Sequence, residues 1–428
     1  MVDVVKIKLW GQNLGALSWD KERNFGSFEF FPEFTNSNLD VSPIHMPIFE
    51  SKGTIYSFSS LNKETFKGLP GLLSDVLPDD FGNELINQWL SLNKINKDDF
   101  TPLDRLCYIG SRGMGALEFE PATNVHLKNA TTLNIDKLVG LAQQILNNRK
   151  EIKLNLQDTE GLNELIKVGT SAGGQRAKAI IAYNEVTKEI RSGQTSVPEG
   201  FEHYLLKFDG VEDSSLSDPI GYGRIEYAYY LMAIECGIEM MPSLLFEENG
   251  RAHFMTKRFD RIGNNEKLHM QTLCSIAHYD FRKAGEYSYE DGLDIIRKLG
   301  LPHSDAVKLF KRMVFNVIAR NQDDHTKNIS FLMNKQGKWK LSPAYDITYS
   351  YNPTGIWTNS HQMSVNGKRD DFTIDDLLEV GKNISYGNAE NSIYEIMEVV
   401  RLWETFAIKA GVADEQVGKI QKTFRFDL

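Results

Sequence analysis

Cysteine is scarce in this chain. Three residues, Cys107, Cys236 and Cys274, lie far apart in 428 and are odd in number. They exclude a disulfide framework, and no Cys/His cluster has zinc spacing. Isolated thiols of this kind fit a reducing compartment. No apolar stretch approaches the length needed to span a bilayer. The first ten residues alternate apolar and polar side chains, with no basic head leading into an apolar run, so no signal peptide is expected. Together these absences predict a cytoplasmic protein with no membrane partner. Positive charge is also in deficit. The 48 Lys and Arg against 58 Asp and Glu leave a net charge of −10. Bulk attraction to nucleic acid is excluded, although a local basic face is not. There is no internal repeat and no low-complexity tract.

What is present is ordinary globular composition over a length too great for one core, so two or three domains are expected. Residues 1 to about 60 are strand-like. Val5–Leu9 and Gly15–Trp19 flank a turn signal at Gly11-Gln-Asn13, which predicts a small antiparallel barrel or meander. After Pro70-Gly71, apolar residues recur at helical spacing from Leu72 to about Leu92. Gly110-Ser-Arg-Gly-Met-Gly115 reads best as a tight strand connection. Residues 122 to 168 read as linker and helix. From about 290 onward the chain is mostly helical, over Leu293–Leu299, Ala306–Ala319 and Ile393–Ala410.

The richest stretch is Asn-Gln-Asp-Asp-His-Thr-Lys-Asn, from Asn321 to Asn328. Asp323 and Asn328 have the spacing of a kinase catalytic loop, in which an Asp accepts a hydroxyl proton and an Asn holds magnesium. Two apolar runs flank Asn334-Lys-Gln-Gly-Lys338 and predict a hairpin that returns Tyr345-Asp346 beside Asn328. Carboxylate and amide oxygens gathered there suit a hard cation carried by a nucleotide. The plainer reading of the loop alone is a solvated polar turn.

Upstream, Val168 to Lys178 contains small residues ahead of a Lys that enters a strand. Such a loop suits phosphate contact through backbone N–H groups. It is not a Walker A loop, and a flexible Gly/Ser connection is the alternative. Lys207 lies among apolar neighbours in Tyr204-Leu-Leu-Lys-Phe and needs an anionic partner if buried. Glu226, near the start of a helix over about Arg224–Ile238, is either that partner, as in kinases, or a surface residue. Ala252–Arg261 leaves a turn at Glu248-Asn249-Gly250 as a strand running into a hinge.

In order along the chain, these pieces resemble the HipA-type serine/threonine kinase toxins of bacterial toxin–antitoxin modules. The resemblance rests on Leu69-Pro-Gly-Leu-Leu-Ser-Asp-Val-Leu-Pro-Asp-Asp80, Tyr108-Ile-Gly-Ser-Arg-Gly-Met-Gly-Ala-Leu-Glu-Phe119 and Thr170-Ser-Ala-Gly-Gly174 through Lys178. Leu206-Lys-Phe208, Thr256-Lys-Arg-Phe-Asp-Arg261, Asp323–Asn328 and Leu341-Ser-Pro-Ala-Tyr-Asp346 complete it. It implies an α+β, bilobal protein-kinase-like fold with an N-terminal β-rich subdomain and an all-helical C-terminal lobe. The expected divisions are 1–122, 123–260 and 261–428.

The resemblance also implies roles. Asp323 would be the catalytic base, with Asn328 and Asp346 as magnesium ligands. Ser171, Ala172, Gly173, Gly174, Gln175, Lys178 and Lys207 would contact ATP phosphates, with Glu226 holding Lys207. Lys257, Arg258 and Phe259 would lie at the adenine hinge, and His325 and Lys327 would join the nucleotide-contacting set. Ser171 would be an autophosphorylation site that ejects its own loop, since a phosphoserine cannot share a site with ATP phosphates. The loop departs from the family's Gly-Gly-Ala-x-Pro-Lys, reading Gly173-Gly-Gln-Arg-Ala-Lys178. The implied partners are a protein substrate, with aminoacyl-tRNA synthetases among the family's targets, and a small helix-turn-helix HipB-like antitoxin. No helix-turn-helix is evident in this chain, so DNA would be met mainly through that antitoxin. Two other readings share the loop residues: a small-molecule phosphotransferase and a nucleotide-binding pseudokinase scaffold.

Overall fold

Alternation at Val5, Ile7 and Leu9 turns one face of the first strand inward, and all three are buried. The computed structural model describes residues 2–123, 132–147, 159–170, 176–193, 196–211, 221–263 and 265–428. Strands β1 (Val4–Leu9), β2 (Gln12–Asp20), β3 (Phe25–Phe30), β4 (Ile55–Tyr56) and β5 (Leu117–Glu120) form an antiparallel sheet in the order β4-β3-β2-β1-β5. The expected meander is therefore four strands, extended on its far edge by a strand from beyond residue 110.

The helical stretch expected from Leu72 to Leu92 is broken at Pro78, whose ring cannot continue a helix. A short turn, Gly71–Ser74, precedes the helix Asp80–Leu92. Asp79 caps that helix, accepting from the Gly82 N–H at 2.6 Å. Phe81, Leu85, Ile86 and Leu90 of this helix pack into the core of the second sheet, with Leu165, Ile181, Leu206 and Met255.

The second sheet contains β6 (Lys178–Tyr183), β7 (Ile190–Ser192), β8 (Glu202–Lys207), β9 (Ser243–Glu248) and β10 (Arg251–Lys257). It is antiparallel, in the order β7-β6-β8-β10-β9. Asn249 and Gly250 both take positive φ, at 46° and 78°, and close the β9–β10 hairpin. The helix Tyr222–Glu235 crosses β10, and Gly223 permits the approach. A Cβ there would collide with the backbone carbonyl of Ala252. β11 (Arg261–Ile262) and β12 (Glu266–Lys267) make a two-stranded ribbon.

The C-terminal lobe is built around the helix His303–Ile318, whose Leu309, Phe310, Met313 and Val317 are buried in its core. It also carries a three-stranded sheet, β13 (His269–Thr272), β14 (Ser330–Met333) and β15 (Trp339–Leu341), in that order. β14 and β15 are the hairpin expected after Asn328. The expected helix Ile393–Ala410 is two helices, Ala389–Arg401 and Trp403–Ala410, jointed at Leu402. Trp403 is fully buried and donates its indole N–H to the Val417 carbonyl at 3.1 Å. Among the described residues no helix is long and apolar enough to cross a membrane.

Candidate active site

Lys207 is the last residue of β8, and in the ladder it lies directly opposite Lys178, the first residue of β6. Two like charges facing each other across strands repel unless anions intervene. Three carboxylates do so. Lys207 Nζ lies 2.5 Å from Glu226 Oε1 and 2.6 Å from Asp346 Oδ1. Lys178 Nζ lies 3.5 Å from Asp79 Oδ2. Glu226 comes from the second turn of the helix Tyr222–Glu235 and is fully buried. Asp346 follows β15 and keeps 31% of its side chain exposed. Its φ of 53° is left-handed, which turns the carboxylate out of the run of the chain.

The electrostatics follow from this arrangement. Burial pushes the Asp346 carboxyl up, but the Lys207 and Lys178 ammonium groups outweigh it and hold the group at about 2. Burial likewise opposes the charge on Lys207, yet Asp346 and Glu226 raise its pKa above the ordinary value. For Glu226 burial wins over the attraction of Lys207, and the pKa rises. Burial also pushes Asp79 up to about 7, against the pull of Lys178.

Further along the chain, the helix His303–Ile318 ends and Arg320 turns the backbone through a left-handed φ of 57° into the loop. Gln322 N–H donates to the Ser350 carbonyl at 3.1 Å. The two adjacent aspartates then part ways. Asp324 is buried and accepts from Tyr289 Oη at 2.8 Å, His361 Nδ1 at 2.7 Å and Gln362 N–H at 2.8 Å. Burial opposes its charge, but His361 and these donors hold its pKa below the usual carboxylate value. Asp324 is thus the anchor. Asp323 faces out, with 40% of its side chain exposed, and accepts the Trp357 indole N–H at 2.6 Å. Asn328 Nδ2 donates to the Asp323 carbonyl at 2.7 Å, which leaves Oδ1 as the amide atom able to bind a cation. Tyr345 Oη donates to the Lys327 carbonyl at 2.6 Å and so ties the Asp346 turn to the loop.

Asn321, Asp324, His325, Asn328, Tyr345 and Asp346 line one cavity. Among the described residues no group of three His, Cys, Asp or Glu side chains converges on a metal position. The chain offers a cation the Asp346 carboxylate and the Asn328 amide oxygen. That donor set fits magnesium, which keeps most of its ligands from phosphate and water.

The other predicted site residues are placed as follows. Ser171, Ala172, Gly173, Gly174 and Gln175 lie outside the described residues. The Lys257 side chain pairs with Glu202 at the rim, and its N–H donates to the Pro242 carbonyl. Arg258 is buried against Asp260 at 2.7 Å, with its N–H on the His203 carbonyl. The Phe259 ring lies 5.3 Å from that of Tyr345. His325 Nε2 is 3.8 Å from Asp323 Oδ1, and Lys327 Nζ sits 4.9 Å above the Phe281 ring.

Four residues had no role assigned from the sequence. Asp79 could have been marked by its place as a cap ahead of a helix. Trp357 stood out only as a large aromatic in a polar loop, and the Asp324–His361 pair left no local trace.

Comparison with known proteins gives the family. Y4mE of Sinorhizobium fredii, a protein named only as a kinase candidate, is 24% identical over 192 residues. The match takes in 42% of this chain and 39% of Y4mE, well under two thirds of that relative's length. A Haemophilus influenzae protein, also named as a kinase candidate, is 24% identical over 259 residues, 52% of this chain and 72% of its own. In three dimensions the chain resembles the structure of the Shewanella oneidensis toxin–antitoxin complex of HipA, HipB and operator DNA, at a TM-score of 0.63 and 16% identity. That likeness covers 98% of this chain and 94% of that one, and establishes a common mixed α/β fold. The family model of the HipA N-terminal domain matches residues 5–120. That of the HipA-like C-terminal domain matches residues 170–408, more than half of the chain, and the chain therefore belongs to the HipA family.

Proposed function

We propose that the chain is an ATP-dependent serine/threonine protein kinase and the toxin of a HipA/HipB-type toxin–antitoxin module. The observation that carries this reading is Lys207, held at 2.5 Å by a helix carboxylate and at 2.6 Å by Asp346. A strand lysine paired with a helix glutamate is the kinase device for gripping α- and β-phosphates. Lys178, opposite Lys207 in the ladder, adds a second cation.

Asp346 and Asn328 would hold magnesium, which when bound neutralises phosphate charge. Asp323 accepts the proton of the acceptor hydroxyl. The new O–P bond forms at the γ-phosphorus as the bridging bond to the β-phosphate breaks, and ADP leaves with that electron pair. Asn328 fixes the Asp323 backbone, and buried Asp324 fixes the loop. The backbone at Lys257–Phe259 would meet adenine. His325 and Lys327 would line the phosphate side. Ser171 to Gln175 are assigned to the phosphate loop on sequence alone, and Ser171 to autophosphorylation. The acidic charge supports DNA contact through a HipB-like partner rather than through this chain.

The test is peptide-mapping mass spectrometry after incubation with magnesium and ATP, alone and with cell protein as acceptor. Phosphate on Ser171 or on an acceptor serine or threonine, absent with Asp323→Asn, is the expected result. Bound ATP with no phosphate on any protein would overturn the kinase reading in favour of a nucleotide-binding scaffold.

A further inference from the structure

The Asp323 carboxylate has two oxygens, and the structure treats them differently. The Trp357 indole N–H donates to Oδ1 at 2.6 Å, and His325 Nε2 lies 3.8 Å from the same atom. Among the described residues Trp357 is the only hydrogen-bond donor to this carboxylate. A half-exposed aspartate with no such donor would be free to rotate about its χ angles.

Indole suits this task. It is a donor only, so it can neither take the acceptor's proton nor compete with Asp323 for it. Trp357 is itself fixed. Its carbonyl accepts from Gln362 Nε2. The next carbonyl, of Thr358, accepts from Gln322 Nε2 at 3.2 Å and from the Asn352 N–H at 3.2 Å. Gln322 is buried and immediately precedes Asp323. The segment carrying the indole and the loop carrying the base are therefore tied together on both sides of the contact.

We propose that Trp357 is the positioning residue of the catalytic base. It occupies Oδ1 and presents Oδ2 to the acceptor hydroxyl. This rests on the reading of Asp323 as the base. The hydroxyl proton passes to Oδ2 while the indole proton stays on nitrogen.

Trp357→Phe keeps an aromatic ring and removes the donor. The expected result is a kcat lowered about ten- to a hundredfold, as for loss of a hydrogen bond to a charged group. ATP affinity and acceptor KM should stay within about twofold, because a contact that only orients the base adds nothing to ground-state binding. Trp357→His, which restores a ring N–H, should recover part of kcat. A Trp357→Phe enzyme with wild-type kcat overturns the proposal, as does one whose loss lies in KM alone. Asp323→Asn separates this from the kinase reading. If Asp323→Asn still transfers phosphate, the base is wrong and both fail. If it is dead while Trp357→Phe is normal, only the positioning role fails. A measurement with residue 357 unchanged covers the case in which the variants do not fold. In protein carrying 15N-labelled tryptophan, one of the six indole N–H signals should move in Asp323→Asn. Six unmoved signals would overturn the contact.

Discussion

Two buried charge clusters, one at the end of β8 and one just past β10, are built on opposite plans. Around Lys207, one ammonium meets two carboxylates, and one of those, Asp346, is 31% exposed. Around Asp260 the ratio is reversed, and nothing is open. This fully buried carboxylate accepts from Arg258 Nε and Nη2, Arg261 Nη1 and the Gly115 N–H, at 2.6 to 2.8 Å. Burial and the neighbouring Arg258 push Arg261 down to about 10, whereas Asp260 is held well below the usual carboxylate range. The glycine turn Gly110–Gly115 is docked on this cluster, and Arg261 also donates to the Gly113 and Gly115 carbonyls. The contrast teaches that buried charge does not by itself mark an active site. A surplus of one sign at an opening does, because it leaves something for a ligand to complete.

The comparison breaks first if the sealed cluster proves dispensable. Asp260→Asn strands two buried guanidinium groups and should cost about 3–5 kcal/mol of stability, read from urea midpoints at constant slope. Phosphate transfer per folded molecule should change little. Asp346→Asn should do the reverse. It leaves Lys207 paired with Glu226, so it should cost clearly less stability than Asp260→Asn, while transfer falls about a hundred- to a thousandfold. Equal effects of the two substitutions on stability would erase the distinction.

A smaller effect concerns buried groups that stay neutral. Burial pushes His203 and His269 down to about 4 and His278 to about 3. Each folded pKa lies below the unfolded value of about 6.5, so the unfolded chain binds more protons between the two. Stability is complete above pH 6.5 and is lost as pH falls toward 4. His278 accepts the Gly71 N–H at 3.1 Å and stacks on His45 at 3.9 Å between the N-terminal region and the C-terminal lobe. His278→Gln should reduce the slope of stability against pH in that window by at most about 1.4 kcal/mol per pH unit. Asp346, at about 2 against an unfolded value of about 3.9, should contribute little slope above about pH 5. The smallest effect belongs to the Lys257–Glu202 pair, whose side chains are partly exposed. Lys257→Met should cost about 0–1 kcal/mol in the same urea assay.

What could be read from the sequence was local. The five-residue interval from Asp323 to Asn328 and the hairpin that follows lie within one short stretch, so periodicity and turn residues were enough to bring Asp346 back to that loop. Lys207 was legible because an ammonium among apolar strand neighbours demands a partner. The missed contacts join distant segments. Asp79, at the cap of the helix Asp80–Leu92, meets Lys178 of β6 from far along the chain, and Trp357 meets Asp323 across a loop with no periodicity. The apolar stripe of Asp80–Leu92 announced a buried face but carried no sign of which core would receive it. Arg258 and Asp260 are two residues apart, yet their closure depends on Gly115, which arrives from another part of the chain.

Gly223 has a consequence for control. The helix that carries Glu226 rests on β10 with no clearance, since even a methyl group at 223 would strike the Ala252 carbonyl. A kinase that turns itself off by swinging this helix needs slack beneath it. Here an inward shift meets backbone, and an outward one gives up buried packing along Ile225, Tyr229 and Met232. The grip on Lys207 is thus set as a fixed stop rather than a lever.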